Sequence, residues 1–293
     1  MRSEIEQAVS LLQRHDEESL EQALALLQNT VFSFSMRLCG QREDAEDTMQ
    51  EVLVKSLPYL PKFDSPKALV VWLYKVAKNR CLMNRRKSKF APKEELSLDQ
   101  LMPDRRELEG LTGNPSFNPE TLAIRREEAQ LLRDAIQNLP PPYRTVLVLR
   151  DMEGLTDIEV GEITGLKPGT VRVRLHRARL FVRRELEKLH HPATKPRIIT
   201  LHGAASMPPS PARCKAMFAE LSNYLDEQLD DTLCGEFEKH MEGCEPCQAF
   251  LSSLEGAIQQ IRHFTVESPD QIAAAELREQ LLASYKLLTA ARN

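Results

Sequence analysis

Residues 155–186, LTDIEVGEITGLKPGTVRVRLHRARLFVRREL, decide the fold. Thr156 followed by Glu159 has the pattern of a capping box, in which the hydroxyl satisfies one orphan amide and the carboxylate another. A short helix is expected to run to about Thr164. Gly165 suits the left-handed residue that ends it, and Pro168 suits the first turn of a second helix. There Val171, Leu175, Ala178 and Val182 recur at intervals of four, three and four, which makes one narrow buried stripe. Between Lys167 and Lys188 stand eight Lys/Arg against Glu185 and Glu187. This is the pattern of a helix-turn-helix. A helix with an apolar back and a cationic front can enter the major groove of DNA. Arg172, Val173, His176 and Arg177 project away from the stripe, towards base edges. Arg174, Arg179, Arg183 and Arg184 are placed to hold phosphates, which position without specifying. The plainer alternative is a basic surface helix with no DNA partner. The agreement of cap, turn and stripe argues against it.

The rest of the chain fits a helical protein. Aromatics are only 5% of 293 residues and the apolar runs have helical spacing, so an all-α fold is expected. No run approaches the ~18 apolar residues of a membrane-spanning helix, and the opening MRSEIEQ lacks an apolar signal core. A cytoplasmic protein with no membrane contact is expected. Disulfides are uncommon in that compartment. Clustered cysteines then suggest metal or redox chemistry, and the isolated Cys39 and Cys81 read as core thiols. The net charge of −4 hides an asymmetry: from Arg213 onward there are 7 basic and 14 acidic residues. The body is therefore slightly basic, as a nucleic-acid partner requires, and the tail is acidic.

Proline, glycine and loss of periodicity divide the chain. Residues 1–90 read as helices with a basic end, 91–124 as a linker and 125–190 as the helix-turn-helix unit. Residues 191–212 form a Pro-rich linker, and 213–293 a small cysteine-bearing unit. In the first unit, EDAEDTMQEVLVKSL sets Ala45, Met49, Val52 and Leu53 on one helical face, with Asp44, Asp47 and Glu51 opposite. Downstream, WLYKVAKNRCLMNRRKSK surrounds a second amphipathic helix with Lys75, Lys78, Arg80, Arg85 and Arg86. Taken alone, Trp72 reads as core rather than as a base-stacking residue.

These residues carry a resemblance. The run from Leu139 to Arg179 resembles the second conserved domain of extracytoplasmic-function sigma factors, in the order L-P, E-G-L-T, G-T-V-x-x-R-L-x-R-A-R. Val173 departs from the serine usual there. The first unit resembles that family's first domain, through Asp44, Ala45, Glu46, Asp47, Gln50 and Glu51, then Trp72, Leu73, Ala77, Asn79 and Arg86. Asn84 stands where aspartate is frequent. The resemblance implies two helical sigma domains joined by a linker, binding core RNA polymerase and promoter DNA. It implies polymerase contacts at Asp44, Asp47, Gln50 and Glu51, and −35 reading by Arg172, Val173, His176 and Arg177. It further implies −10 capture and melting around Lys62, Asp64, Trp72, Lys75, Asn79, Arg80 and Arg86. Lysines and arginines can hold a melted strand while its bases are stacked or pocketed.

The last unit holds His240, Cys244 and Cys247 as H-x3-C-x2-C. Imidazole and thiolates at this spacing suit tetrahedral zinc, and a closed site needs a fourth ligand. Cys214 and Cys234 are both candidates. The unit resembles zinc-binding anti-sigma domains, whose upstream ligand opens a helix, and that favours Cys214. An unliganded or redox-active Cys-x2-Cys is the alternative. The segment after Pro269 is a candidate amphipathic helix whose leucines could pack inward or dock elsewhere.

The expectation is thus a transcription initiation factor without catalytic activity. It should bind Zn2+ and make an intramolecular contact between its C-terminal unit and the sigma domains. The competing reading is a dimeric helix-turn-helix repressor with a zinc sensor. A zinc hydrolase would need an open three-ligand site beside a general base, and no such pattern occurs.

Overall fold

A computed structural model describes residues 2–14, 16–63, 65–86, 95–103, 124–190 and 211–290. Every regular element among the described residues is helical, as an all-α fold requires. In order they are α1 (Arg2–Leu12), α2 (Glu17–Cys39), α3 (Arg42–Ser56), α4 (Pro66–Arg86) and the single turn α5 (Leu98–Leu101). Then come α6 (Ile124–Asn138), α7 (Pro141–Leu147), α8 (Asp157–Thr164) and α9 (Pro168–His190). The last four are α10 (Pro211–Leu225), α11 (Asp231–Glu242), α12 (Glu245–Arg262) and α13 (Gln271–Ala290). No described helix is long and apolar enough to cross a membrane.

The chain forms two compact units that interleave along the sequence. One comprises Met1–Lys93, Val148–Val171 and Thr265–Asn293, the other Glu94–Leu147 and Arg172–Phe264. In the first, Asp16 caps α2 by accepting a hydrogen bond from the Ser19 amide at 2.7 Å. Leu20, Leu24, Leu27, Val31, Phe34 and Leu38 then fall at three- and four-residue steps and are buried, with Ala23 beside them. Ala45, Met49, Val52 and Leu53 of α3 face inward, as do Leu69, Leu73 and Ala77 of α4. Each buried leucine contributes roughly 1.5–3 kcal/mol. The expectation of two core thiols is corrected here: Cys39 and Cys81 are buried but joined as a disulfide between α2 and α4. Their Cα atoms lie 5.5 Å apart, the ordinary span of such a bridge. Sequence reasoning missed it because 42 residues separate them.

The segment after Pro269 is the helix α13, and two of its leucines face inward while Leu287 is exposed. Ala274, Leu277 and Leu281 are buried. Gln28 of α2 donates to the Ala274 carbonyl at 2.9 Å, and Arg278 donates back to the Gln28 side chain at 3.1 Å.

The capping box forms: the Thr156 amide donates to Glu159 at 2.8 Å, and the Glu159 amide to the Thr156 hydroxyl at 3.3 Å. Gly165 ends α8 in the left-handed region with φ 77°. A Cβ on Gly161 would lie 2.7 Å from the Leu166 carbonyl oxygen, so the turn closes only over a bare backbone.

In the second unit, Arg144 is buried at the junction of α6 and α7. It donates to the Gln137 side chain at 2.7 Å, to the Leu139 carbonyl at 2.9 Å and to the Gln137 carbonyl. Phe218 meets the edge of Phe250 at 4.7 Å, and Tyr224 stacks on Phe237 at 4.2 Å. Leu180 of α9 and Leu101 of α5 belong to the same apolar cluster as these aromatics.

Candidate metal centre and nucleic-acid interface

Three helix ends converge on the metal centre. Cys214 lies in the first turn of α10, His240 in the last turn of α11, and Cys244 caps α12 with Cys247 one turn inside. Their ligand atoms all lie within 4.8 Å of one another, and all four residues are buried. The Cys214 sulfur is 3.8 Å from His240 Nε2, which is 3.3 Å from the Cys247 sulfur. The Cys244 and Cys247 sulfurs are 3.2 Å apart. A tetrahedral ion with bonds of about 2.0–2.3 Å fits a cage of this size. Burial pushes the Cys214 and Cys247 thiols up, so a central cation is what would hold them as thiolates. Cys234 stands apart, its thiol half-exposed and 3.7 Å from Glu238. Cys214 is therefore the fourth member of the cluster.

Helix α9 departs from its expected orientation. Val171, Leu175, Ala178 and Val182 are buried, as the stripe requires. Three residues assigned to DNA are buried as well, namely His176, Arg179 and Arg183. His176 Nδ1 lies 2.8 Å from the Ser222 hydroxyl, and burial, then Arg179 and Arg177, lower its pKa to about 4. Arg179 meets both carboxylate oxygens of Asp226, at 2.8 and 3.0 Å. Arg183 donates to Ser253 at 3.0 Å and to Glu187, and its guanidinium lies 3.7 Å from the Phe250 ring centroid. The physical reason is occupancy: α10, the turn after it and α12 supply hydroxyls, a carboxylate and a ring to the face that sequence alone leaves to phosphates. Arg172 and Val173 are exposed, and Arg174 and Arg177 half-buried. Arg184 donates to the Gln100 carbonyl at 2.7 Å.

On α3, Asp47 and Gln50 are exposed and Asp44 half-buried. Glu51 pairs with Lys55 at 2.6 Å and with Arg80 at 2.7 Å. The Lys55 hydrogen bond, with Arg80 beside it, holds the Glu51 carboxyl below its usual value. Arg80, expected on the melted strand, is therefore tied to a residue expected on polymerase. Trp72 is half-buried rather than core, with Tyr59 and Phe63 each 5.9 Å from its ring. Phe63, Lys67, Trp72, Lys75 and Glu162 border a cavity of about 450 Å³. Lys62, Lys75 and Asn79 are exposed. Asp64 and the Arg86 side chain lie outside the described residues, as do most of the two expected linkers.

One group escaped sequence reasoning. Glu153 has no exposed side-chain surface and accepts from Arg37 at 2.7 Å and from Tyr74 at 2.6 Å. Burial raises its carboxyl, against the pull of Arg37. Its partners lie 116 and 79 residues away, and no local pattern announces them.

Residues 24–90 match Sigma-70 region 2, residues 129–182 match Sigma-70 region 4, and residues 214–248 match a putative zinc-finger family. These matches support an extracytoplasmic-function sigma factor. The chain carries a fused zinc-finger unit of the anti-sigma kind. It is similar to the ECF RNA polymerase sigma factor SigW of Bacillus subtilis, 27% identical over 63% of this chain and 98% of that protein. It is 28% identical to the ECF RNA polymerase sigma-E factor of Escherichia coli K12, over 62% of this chain and 93% of the other. It is 35% identical to the ECF RNA polymerase sigma factor SigE of Mycolicibacterium smegmatis, over 54% and 58%. This sigma factor is a transcription initiation factor, and its regions 2 and 4 support interaction with core RNA polymerase and promoter DNA. The four-residue cluster and the zinc-finger match together fit zinc.

Proposed function

We propose that this sigma factor, which has no catalytic activity of its own, docks on core RNA polymerase through Asp44, Asp47, Gln50 and Glu51. It reads the −35 element with Arg172, Val173 and Arg177, and captures −10 bases at the cavity beside Trp72. Its zinc unit acts from within the same chain by occupying the DNA-facing side of α9, and release of that unit frees His176, Arg179 and Arg183. The two-pronged Arg179–Asp226 pair carries this reading: the guanidinium is fully buried against the carboxylate, so phosphate cannot reach it in that geometry. The acidic excess of the tail supports it, since carboxylates compete with phosphates for the same arginines.

The test is transcription by core polymerase from a cognate promoter, with wild type, full-length Asp226→Asn, and protein truncated near Pro208. Inhibition by the zinc unit predicts more transcript from both variants than from wild type. Equal or lower activity in both overturns the inhibitory role. Failure of wild type and variants alike to bind core polymerase overturns the docking assignment.

A further inference from the structure

The buried triad joins two parts of the chain with separate promoter tasks. Arg37 and Tyr74 stand in the region 2 match, on α2 and α4, whereas Glu153 stands in the region 4 match, just after the turn Val148–Met152. The Glu153 side chain is wholly buried and that of Arg37 is 9% exposed. A carboxylate without its partners would be strongly unfavourable in such a place, so the triad forms or breaks as a set. Two further contacts lie alongside. The Lys78 ammonium donates to the Ile163 carbonyl at 2.8 Å, at the C-terminal end of α8 where a cation is favoured. Lys67 and Glu162 approach to 3.7 Å. Glu162 of α8 thereby becomes one wall of the cavity beside Trp72.

We propose that Glu153, Arg37 and Tyr74 form a latch that holds region 4 directly on region 2 in a closed state, with α8 shielding the base-capture cavity. This rests on the reading that the two regions engage the −10 and −35 elements. Those elements are about 25 base pairs apart, some two and a half turns of DNA or roughly 85 Å. A hydrogen bond of 2.7 Å between the regions cannot survive simultaneous binding of both. Promoter engagement therefore breaks the latch, and the zinc unit is not needed to form it, since all of its atoms belong to regions 2 and 4.

The experiment uses the full chain with fluorophores on non-natural residues replacing Val54 and Ile158, both more than half exposed. Single-molecule energy transfer reports the distance between the regions. The wild type is expected to show a short-distance population that becomes long when core polymerase and a promoter fragment are added. Glu153→Ala and Arg37→Met should raise the long-distance population of the free protein at least about tenfold. Tyr74→Phe, which removes one hydrogen bond and keeps the ring, should raise it less. Circular dichroism checks that each variant is folded, and Tyr74→Phe decides if the other two are not. Unchanged distances in every folded variant would overturn the latch, and so would a short distance that persists on promoter DNA. The free-protein arm needs no promoter. An open shift there without any DNA binding would sink the promoter assignment and leave the latch standing.

Discussion

Arg179 of α9 and Asp226, the residue just after α10, form a two-pronged ion pair in which neither side chain is more than 6% exposed. Removing one member strands the other as a buried charge, which typically costs about 3–5 kcal/mol. Removing both deletes the attraction and the stranded charge together. Arg179→Ala and Asp226→Ala should each lower stability in urea unfolding by about 3 kcal/mol, and the double variant by clearly less than the sum. Additive losses would mean that the two charges do not interact in solution.

The metal centre gives a sharper result. Cys214→Ser, His240→Ala, Cys244→Ser and Cys247→Ser should each lose bound zinc by elemental analysis. Cys234→Ser should keep one equivalent, because its sulfur lies outside the cluster. A strong chelator should reduce the helicity of the wild type, since the ligands tie three helix ends to one ion. Full occupancy in Cys214→Ser would break this assignment.

The Cys39–Cys81 bridge predicts a redox-dependent stability. Closing a loop of 42 residues is worth about 4 kcal/mol in the chain-entropy account, and measured values are commonly 2–4. Cys39→Ser should unfold at lower denaturant than wild type without reductant. With reductant the gap should narrow sharply. A gap independent of reductant would show that the two sulfurs act only as packing.

His176 makes the packing of α9 sensitive to pH. Its folded pKa of about 4 lies below the ordinary 6.5, because burial and the neighbouring Arg179 and Arg177 disfavour the cation. Between those values the unfolded chain binds the extra proton, so stability falls as pH drops from about 6.5 towards 4. It is fully present above 6.5. Scanning calorimetry should show a loss of up to about 3 kcal/mol over that range, and His176→Gln should flatten the dependence. An equally steep slope in the variant would assign the effect to other groups.

What was legible in the sequence is what local chemistry controls. Thr156, Glu159, Gly165 and Pro168 announce a helix, its stop and the next start, because each acts on its own backbone. The zinc ligands from His240 to Cys247 were readable for the same reason, and a resemblance was enough to prefer Cys214. The outer face of α9 was not legible. Periodicity separates the stripe through Val171 and Leu175 from the rest, but it treats every polar position as facing water. Ser222, Asp226 and Ser253 lie 46, 47 and 70 residues beyond the side chains they meet. Nothing near His176, Arg179 or Arg183 shows that protein will cover them. Glu153 was hidden by the same distance in sequence.

The position of α13 sets an order of events during synthesis. Gln28, fully buried in α2, finds its partner at Ala274, 246 residues later. A ribosome adding ~5–20 residues per second leaves that amide without its acceptor for roughly 12–50 s. Regions 2 and 4 are complete well before then. Each newly made molecule thus passes through an interval in which its promoter-reading parts exist and α13 does not.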